Sequence, residues 1–342
     1  MLVRNKTQRN GIYKANLNSA TGQLSEPKLA VEVSSPGFVD LHPNGKILYS
    51  LGRSKKGGAL FAFSISEDRQ LTFLNSQPIG DGGASHLSVD REGKCLFSSQ
   101  YGGGSVAAFP LLPDGKIAPR SDLIEHSGSG PNKSRQRSPH PHWVGMGPNN
   151  RYLFVPDLGI DKVAIYKTDL ENGKLISHGF GISPAGGGPR HMKFHPNGKF
   201  AYVLNELLLS VTAYKFDGEK GTLDRIQTID SLPPSMWEIP GKSSEIRIHQ
   251  TGKFLYAANR GHDSIACYRV DAKTGRLTFI EREAIRGSWP RNFNIDPSGK
   301  WLLAAGRHSN TIAVFKIDPL LGGLTFTGKI VNTPAPICIE FQ

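Results

Sequence analysis

The 342-residue sequence has few cysteines and no long apolar run. Its three cysteines, Cys95, Cys267 and Cys338, each lie in a short apolar stretch. An odd number of thiols in such places indicates buried side chains in a reducing compartment rather than a disulfide framework. The first residues lack the apolar core of a signal peptide, and no segment is long enough to span a bilayer. We therefore expect a cytoplasmic protein without membrane contact.

A convincing amphipathic helix is also missing. The chain instead has 39 glycines and 23 prolines, interspersed with short runs rich in Val, Ile, Phe and Tyr. This composition is typical of many short strands joined by tight turns. The sequence therefore predicts an all-β fold.

Negative charge is in short supply, because 41 Lys and Arg face 29 Asp and Glu, for a formal net charge of +12. The excess favours anionic partners. The basic residues are spread along the chain, and the densest group, residues 133–137, is interpreted as a solvated loop. No aromatic residues are interleaved with basic ones as nucleic-acid binding would require, so we expect no nucleic-acid partner.

A turn resembling Pro-Asn-Gly-Lys, followed by an apolar strand, occurs six times. Its glycine positions are 47 to 57 residues apart, a period typical of four-stranded propeller blades. They are Gly45, Gly93, Asn150 in place of glycine, Gly198, Gly252 and Gly299.

A second polar turn, followed by Leu or Ile, comes later in each unit and occurs seven times. The first unit therefore lacks its opening strand, whereas the last apolar run, residues 337–341, has no unit of its own. We predict a single domain over residues 1–342, a seven-bladed β-propeller of four-stranded antiparallel blades, with the ring closed by the C-terminal strand. Residues 1–4 would supply the second strand of the first unit. Two long connections, residues 119–139 and 231–244, have compositions that suit a lid.

In such blades the start of the innermost strand and the end of the second strand lie at the same end of the sheet. The loops at these positions should therefore converge on one mouth. Residues expected there before the innermost strands are His86, His142, Arg190, His191, Glu245 and Arg291. Residues expected there after the second strands are Arg53, Tyr101, Asp157, Asn205, Glu206, Arg260 and Arg307. The excess of arginine predicts a site for an anionic substrate, because guanidinium groups bind carboxylate or phosphate bidentately.

Several segments at these positions resemble those of the seven-bladed propeller lactonases, a family that includes the propeller type of 6-phosphogluconolactonase and the fungal carboxymuconate cyclases. The resembling segments are Pro139-His140-Pro141-His142, Val155-Pro156-Asp157-Leu158-Gly159, Gly188-Pro189-Arg190-His191-Met192, Asn205-Glu206 and Trp289-Pro290-Arg291-Asn292-Phe293. The resemblance implies that His142, Arg190, Glu206 and Arg260 form the active site, with no metal or organic cofactor.

The resemblance implies a hydrolase that opens a sugar lactone, with 6-phospho-D-glucono-1,5-lactone of the pentose phosphate pathway as the leading substrate. A carboxymuconate-type cycloisomerase and a non-catalytic propeller that binds an anion at the mouth are the alternatives. We expect the partner to be the small anionic lactone and the protein to be a monomer or a weak homo-oligomer.

Lactone hydrolysis needs an activated water and donors for the oxyanion. We expect His142 or Glu206 to activate the water, and Arg190 and Arg260 to stabilise the oxyanion. The predicted substrate- and phosphate-binding residues are His86, His191, Arg291, Arg307, Asp157 and Asn205. A metal is not expected, because His140 and His142 have no clear third ligand. The sequence also lacks a phosphate-binding loop and a Gly-x-Ser-x-Gly elbow.

Overall fold

The protein is described by a computed structural model that covers residues 11–236 and 241–342. The described chain begins with two small antiparallel sheets, which together we call the N-terminal unit. In the first sheet β1 (Gly11–Lys14) pairs with β4 (Lys28–Glu32), and in the second β2 (Leu17–Asn18) pairs with β3 (Gln23–Leu24).

Six four-stranded antiparallel sheets follow, and each has its strands in chain order. We number them blades 1 to 6. Blade 1 contains β5 (Val39–Leu41), β6 (Ile47–Ser54), β7 (Gly57–Ile65) and β8 (Leu71–Pro78). Blade 2 contains β9 (Ala84–Val89), β10 (Cys95–Gln100), β11 (Ser105–Pro110) and β12 (Asp122–Glu125). Blade 3 contains β13 (Gly145–Met146), β14 (Tyr152–Asp157), β15 (Lys162–Asp169) and β16 (Lys174–Ile182).

Blade 4 contains β17 (Pro189–Phe194), β18 (Phe200–Asn205), β19 (Ser210–Asp217) and β20 (Thr222–Asp230). A 3₁₀ turn at Pro234–Met236 lies in the connection to the next blade. Blade 5 contains β21 (Lys242–Ile248), β22 (Phe254–Arg260), β23 (Ser264–Val270) and β24 (Leu277–Ala284). Blade 6 contains β25 (Pro290–Ile295), β26 (Trp301–Gly306), β27 (Thr311–Ile317) and β28 (Leu324–Asn332). The prediction of an all-β propeller built from four-stranded antiparallel blades is confirmed.

The early turn of each unit needs a left-handed backbone at one position. Gly45 has φ 69° there and Gly198 has φ 70°. Asn150 occupies the same position with φ 57°, in agreement with its predicted role in place of glycine. Asparagine tolerates this region better than other side chains, so the turn is preserved without glycine.

The apolar core is divided into clusters that each lie between two neighbouring units. Blades 1 and 2 share one cluster, and the next four clusters join blades 2 to 6 in order. A sixth cluster joins Trp301 and Leu303 of blade 6 to Leu17 and Leu24 of the N-terminal unit. The strands therefore bury both faces, as expected where blades stack around a centre.

A recurring hydrogen bond also joins neighbouring units. Tyr49 at the second strand of blade 1 donates its hydroxyl to the Gly115 carbonyl of blade 2 at 3.0 Å. Tyr202 of blade 4 likewise donates to the Gly275 carbonyl of blade 5, and Tyr256 of blade 5 donates to the Gly322 carbonyl of blade 6. At blade 6 the donor is the Trp301 indole, which reaches the Ser19 carbonyl of the N-terminal unit at 2.9 Å.

The C-terminal segment, residues 337–341, lies between β25 and β5. The Ile339 amide donates to Asn292 Oδ1 at 2.9 Å, and Asn294 Nδ2 donates to the Ile339 carbonyl at 2.9 Å. Within the described ranges this segment has no strand assignment, so the predicted closing strand is not found as such. Its predicted neighbour in the blade, residues 1–4, lies outside the described residues, as does Trp237 of the second long connection. Over residues 11–236 and 241–342, no helix has the length and apolarity to cross a membrane.

Candidate active site

The four residues predicted to form the active site belong to three consecutive blades, and the structure brings them to one mouth. Arg190 is near the start of β17, Glu206 directly follows β18, and Arg260 ends β22. Arg190 Nε and Arg260 Nη2 lie 2.9 and 3.0 Å from the same Glu206 oxygen, Oε2. His142 precedes β13 and is close enough for the charges of Arg190 and Glu206 to act on its pKa.

Glu206 is a buried carboxylate at the centre of this cluster, with 3% of its surface exposed. Its second oxygen, Oε1, accepts a hydrogen bond from Arg135 Nη2 at 2.9 Å. Burial works to raise the pKa of Glu206, but the charges of Arg260 and Arg190 outweigh burial and hold that pKa well below its usual range. Glu206 is therefore a fixed negative charge shared by three guanidinium groups.

The arginines retain donors that no described residue uses. Both terminal nitrogens of Arg190, Nη1 and Nη2, are buried without a hydrogen-bond partner, as is Nη1 of Arg135. Burial, followed by the charge of Arg260, lowers the pKa of Arg190 to about 10. Unpaired guanidinium nitrogens in a buried site favour an anionic ligand, because such donors are costly to leave unsatisfied.

Arg291, at the start of β25, adds a further charge without adding a partner. Within the described part of the chain its side chain makes no hydrogen bond or ion pair. Burial and the charges of Arg190 and Arg260 lower its pKa well below the usual value. Arg307, on the next connection of blade 6, also acts on the pKa of Arg291, so it lies nearby.

Three histidines form a second group beside the arginines. The His142 and His191 ring centroids are 5.3 Å apart, and those of His86 and His191 are 5.5 Å apart. Phe38 packs against His86 and His191. Burial is the main cause that lowers the pKa of each imidazole well below its ordinary value, so all three are neutral near pH 7. Each also has one buried ring nitrogen without a partner, namely His86 Nδ1, His142 Nδ1 and His191 Nε2.

His191 is held by a carboxylate on the neighbouring inner strand. Its Nδ1 lies 3.1 Å from Glu245 Oε1, and Glu245 is also bonded to Asn292. This arrangement fixes the imidazole with a proton on Nδ1 and a free lone pair on Nε2. His191 thus packs with the imidazole group, and the charge of Arg291 also acts on its pKa, so its role beside the phosphate-binding arginines stays a prediction.

Asp157 and Asn205, both predicted to bind substrate, have their polar atoms largely engaged inside the fold. Asp157 is fully buried, and its oxygens accept hydrogen bonds from His126 Nδ1 at 2.7 Å, the His140 amide at 2.7 Å and the Gly159 amide at 2.8 Å. It therefore shapes the loop that carries His142. Asn205 donates through Nδ2 to two hydroxyls, and its Oδ1 is buried without a partner.

Arg135 is a residue of the mouth that the sequence analysis missed. It lies in the basic stretch interpreted as a solvated loop, yet its Nη2 bonds both Glu206 and the Tyr101 hydroxyl, the latter at 3.1 Å. The only available signal was the length of the connection between blades 2 and 3. Nothing in the local sequence distinguishes Arg135 from Arg137, which is exposed and bonds only the Lys133 carbonyl among described residues.

Two cavities lie outside the cluster of charged residues. One, of about 930 Å³, lies between the N-terminal unit and the C-terminal segment. The other, of about 400 Å³, lies beside Arg53 and a glycine-rich wall at blades 1 and 2. Among the residues that the structure describes, no group of three or more His, Cys, Asp or Glu is arranged to hold a metal ion.

Comparisons with known proteins agree with this architecture. A family model described as the seven-bladed beta-propeller lactonase matches residues 3–341. The chain is 37% identical over 332 residues to the 6-phosphogluconolactonase of Bacillus subtilis, an alignment that covers 97% of this chain and 94% of the relative. It is 35% identical over 296 residues to the 6-phosphogluconolactonase of Formosa agariphila, with 84% and 82% of the two chains covered.

A solved structure gives the same result in three dimensions. The periplasmic gluconolactonase of Pseudomonas aeruginosa matches with a TM-score of 0.89 at 29% identity, and the match covers 96% of this chain and 93% of that one. The enzyme class expected from the sequence, a hydrolase that opens a lactone ester, is the class to which these named relatives belong. Because the family model spans nearly the whole chain, and relatives of more than 30% identity cover most of it, this protein belongs to the seven-bladed β-propeller lactonase family.

Proposed function

We propose that the protein hydrolyses an anionic sugar lactone, with 6-phospho-D-glucono-1,5-lactone as the leading substrate and 6-phosphogluconate as the product. The observation that carries this proposal is the excess of positive over negative side chains at the mouth. Four arginines, Arg135, Arg190, Arg260 and Arg291, lie around the carboxylate of Glu206, and three nitrogens of Arg135 and Arg190 have no partner. An anionic substrate would satisfy these donors. The names of two relatives, both 6-phosphogluconolactonases, support the same substrate.

In this proposal Arg190 and Arg260 stabilise the negative charge that develops on the lactone carbonyl oxygen. Glu206 holds both guanidinium groups through one oxygen and so fixes their positions before the substrate arrives. Preorganised donors of this kind lower the barrier because they need no rearrangement during the reaction. Glu206 acts as a positioning residue.

His142 is the better of the two candidate bases. Glu206 is engaged by three arginines, and its lowered pKa makes it a weak acceptor of a proton. His142 is neutral and has an unpartnered Nδ1. In the first step His142 takes a proton from water as the water oxygen bonds to the lactone carbonyl carbon. The resulting oxyanion then collapses, the ring C–O bond breaks, and the imidazolium returns the proton to the departing sugar oxygen.

Arg291 and Arg307 are proposed to hold the phosphate group, as predicted from the sequence. Arg291 is suited to this role because it is half-buried among like charges and has no carboxylate partner in the described chain. His191 is instead assigned to the imidazole group, where Glu245 fixes its tautomer.

The test is a panel of lactones with and without a phosphate group, followed by acid release at controlled pH and corrected for spontaneous hydrolysis. We expect the unmodified protein to hydrolyse the phosphorylated lactone, and the His142→Ala variant to lose at least a hundredfold in kcat/KM with its melting temperature retained. Binding of 6-phosphogluconate without turnover of any lactone would instead indicate a non-catalytic propeller.

The proposal includes a closed ring of seven units. The bond from Trp301 to Ser19 and the apolar cluster beside it support closure, since they repeat the contacts between neighbouring blades. Residues 337–341 occupy the innermost position between β25 and β5. The cytoplasmic location, the place in the pentose phosphate pathway and the monomeric or weakly oligomeric state stay predictions.

A further inference from the structure

The connection between blades 2 and 3 forms a strap, residues 126–141, that passes over the mouth. Arg135 of the strap bonds Tyr101 of blade 2 and Glu206 of blade 4, so one side chain joins blades on both sides of blade 3. Its side chain is 25% exposed, whereas the Arg190 side chain below it is fully buried. Arg135 therefore lies at the rim, between the buried cluster and solvent.

The strap is held by buried hydrogen bonds next to Arg135. Gln136 is fully buried and donates through Nε2 to the Leu158 carbonyl at 2.8 Å and to Asp161 Oδ1 at 2.7 Å. The His140 ring stacks on Tyr101 with centroids 4.5 Å apart. These contacts place the Arg135 guanidinium in one position, which favours a defined role in binding over a mobile surface charge.

The second long connection, residues 231–244, contributes another positively charged side chain, Lys242, to the same rim. Lys242 is the first residue of β21 and pairs in register with Arg260. Its side chain has no hydrogen bond or ion pair to any residue that the structure describes. Burial and then the charge of Arg135 lower the pKa of Lys242, the charge of Glu206 opposes them, and Arg260 and Arg291 lower it further, so Lys242 lies beside the same cluster.

Among the described residues, the cations at this rim outnumber the carboxylates paired with them. Arg135 shares Glu206 with Arg190 and Arg260 and keeps an unpartnered Nη1, while Lys242 makes no ion pair with a described carboxylate. Cations held near each other without counter-charge repel one another, so the arrangement costs stability unless an anion binds. The two long connections, residues 119–139 and 231–244, thus each place a positively charged side chain at the same part of the rim.

We infer that Arg135 and Lys242 form an anion subsite at the rim that, with Arg291 and Arg307, recognises the phosphate group of the substrate. The inference rests on the proposed lactonase function, and it assigns substrate selectivity to the two inserted connections. The catalytic group below needs only a lactone carbonyl, which phosphorylated and unphosphorylated lactones share. Selectivity for a phosphate is therefore expected to reside at the rim.

The test compares 6-phosphoglucono-1,5-lactone with glucono-1,5-lactone in the Arg135→Met and Lys242→Met variants. We expect each substitution to lower kcat/KM for the phosphorylated lactone by about 10- to 100-fold, as for the loss of one charge-assisted hydrogen bond. In Lys242→Met the value for the unphosphorylated lactone should change by less than about threefold, which is well under the loss of one such bond. Arg135→Met is expected to lower that value as well, because Arg135 bonds Glu206. Arg137→Met and Lys133→Met, exposed changes in the same strap, are the matched controls and should leave both values unchanged.

Lys242→Met is the more stringent variant, because Lys242 does not contact Glu206. Equal losses for both lactones in Lys242→Met, or no loss in that variant, would overturn the subsite. If the unmodified protein hydrolyses neither lactone, the proposed function fails, and calorimetric titration with 6-phosphogluconate then decides the subsite. Weaker binding in both rim variants than in the controls supports the subsite, and unchanged binding overturns it.

Discussion

Glu206 and Asp157 are two buried carboxylates near the ends of the second strands of neighbouring blades, and they have opposite surroundings. Asp157 accepts hydrogen bonds from His126 and two backbone amides, and His126 in turn bonds the Tyr166 hydroxyl at 2.7 Å. Both oxygens of Asp157 and both ring nitrogens of His126 therefore have a hydrogen-bond partner. Glu206 is held by three arginines, and two of them keep free donors.

The comparison teaches that burial of a charge does not by itself identify a functional site. A saturated network stabilises a loop, because no hydrogen-bonding group is left for a ligand. A network with unused donors keeps its binding capacity and costs stability until a ligand arrives. On this criterion the Glu206 network belongs to the site, and the Asp157 network supports it.

The largest expected effect comes from Glu206→Gln. The amide no longer balances Arg190 and Arg260, so their positions and charges change, and kcat/KM for the phosphorylated lactone should fall by about 100- to 1,000-fold. Steady-state hydrolysis, measured well below the melting temperature of the variant, checks this. Glu219→Gln, an exposed ion-pair change, is the control. If kcat/KM falls by less than about threefold, which is well under the effect of losing one charge-assisted hydrogen bond, Glu206 does not contribute to catalysis.

The same isosteric change at Asp157 should act on stability instead. Asp157→Asn keeps an oxygen for the backbone amides but replaces the acceptor that faces His126. We expect a loss of about 2 kcal/mol in the free energy of unfolding, with kcat/KM changed by less than about twofold. Urea denaturation together with lactone hydrolysis measures both. A large loss of activity in a stable variant would contradict the division between the two networks.

The imidazole group predicts a smaller dependence of stability on pH. In the unfolded chain a histidine takes up a proton below about pH 6.5, whereas buried His86, His142 and His191 stay neutral to lower pH. The contribution of these imidazoles to stability should therefore be constant above about pH 7.5 and fall as the pH drops through 6.5, by about 1.4 kcal/mol per imidazole at pH 5.5. Urea denaturation at pH 7.5 and pH 5.5 tests this. In the His86→Asn variant, the loss of stability between the two pH values should be smaller by the contribution of one imidazole. An unchanged dependence in that variant would show that His86 is not involved.

Arg291→Met tests the cost of unused donors. The substitution removes a charge that lies among other arginines without a carboxylate partner. We expect the melting temperature to rise, with about 1 kcal/mol of added stability, while kcat/KM for the phosphorylated lactone falls about tenfold. Arg151→Met, which removes an exposed partner of Glu219, should change stability by less than about 0.5 kcal/mol. Destabilisation by Arg291→Met would mean that this arginine is structurally satisfied.

The smallest expected effect is on stability and concerns a turn of the repeat that lies outside the Glu206 and Asp157 networks. Arg69 occupies the left-handed position of a late turn with φ 59°, where other units have glycine, such as Gly115 with φ 81°. Arg69→Gly should stabilise the protein by about 0.5 kcal/mol, and Gly115→Ala should destabilise it. Thermal denaturation of both variants measures the two stability changes, and it shows how small a stability change the method can detect. Equal effects of the same sign would argue against backbone strain at this turn.

The sequence predicted the blades well because the repeat fixes them locally. The early turns predicted at Gly45 and Gly198 are each followed by the predicted apolar strand, β6 in blade 1 and β18 in blade 4. Turn residues with left-handed conformations act within a few positions, so no long-range information is needed. The meeting of Arg190, Glu206 and Arg260 followed from the same frame, because equivalent positions in a meander blade lie at the same end.

The parts that the sequence did not predict depend on contacts outside the repeat. Arg135 reaches Glu206 only because Gln136 holds the strap against blade 3. His191 packs with the other imidazoles, and Glu245 on the neighbouring strand holds its Nδ1. Residues 337–341, predicted to close the ring as a strand, have no strand pairing among the described residues.

The hydrogen bond from the Trp301 indole to the Ser19 carbonyl joins two positions 282 residues apart. Consecutive blades are connected by continuous chain, whereas among the described residues blade 6 and the N-terminal unit contact each other through an apolar cluster and this bond. Among the described residues, this contact can therefore open without stretching an inter-blade loop. A disulfide across that junction would delay unfolding more than a similar link between any two consecutive blades, and new chain ends placed in another inter-blade loop would move the weak point there.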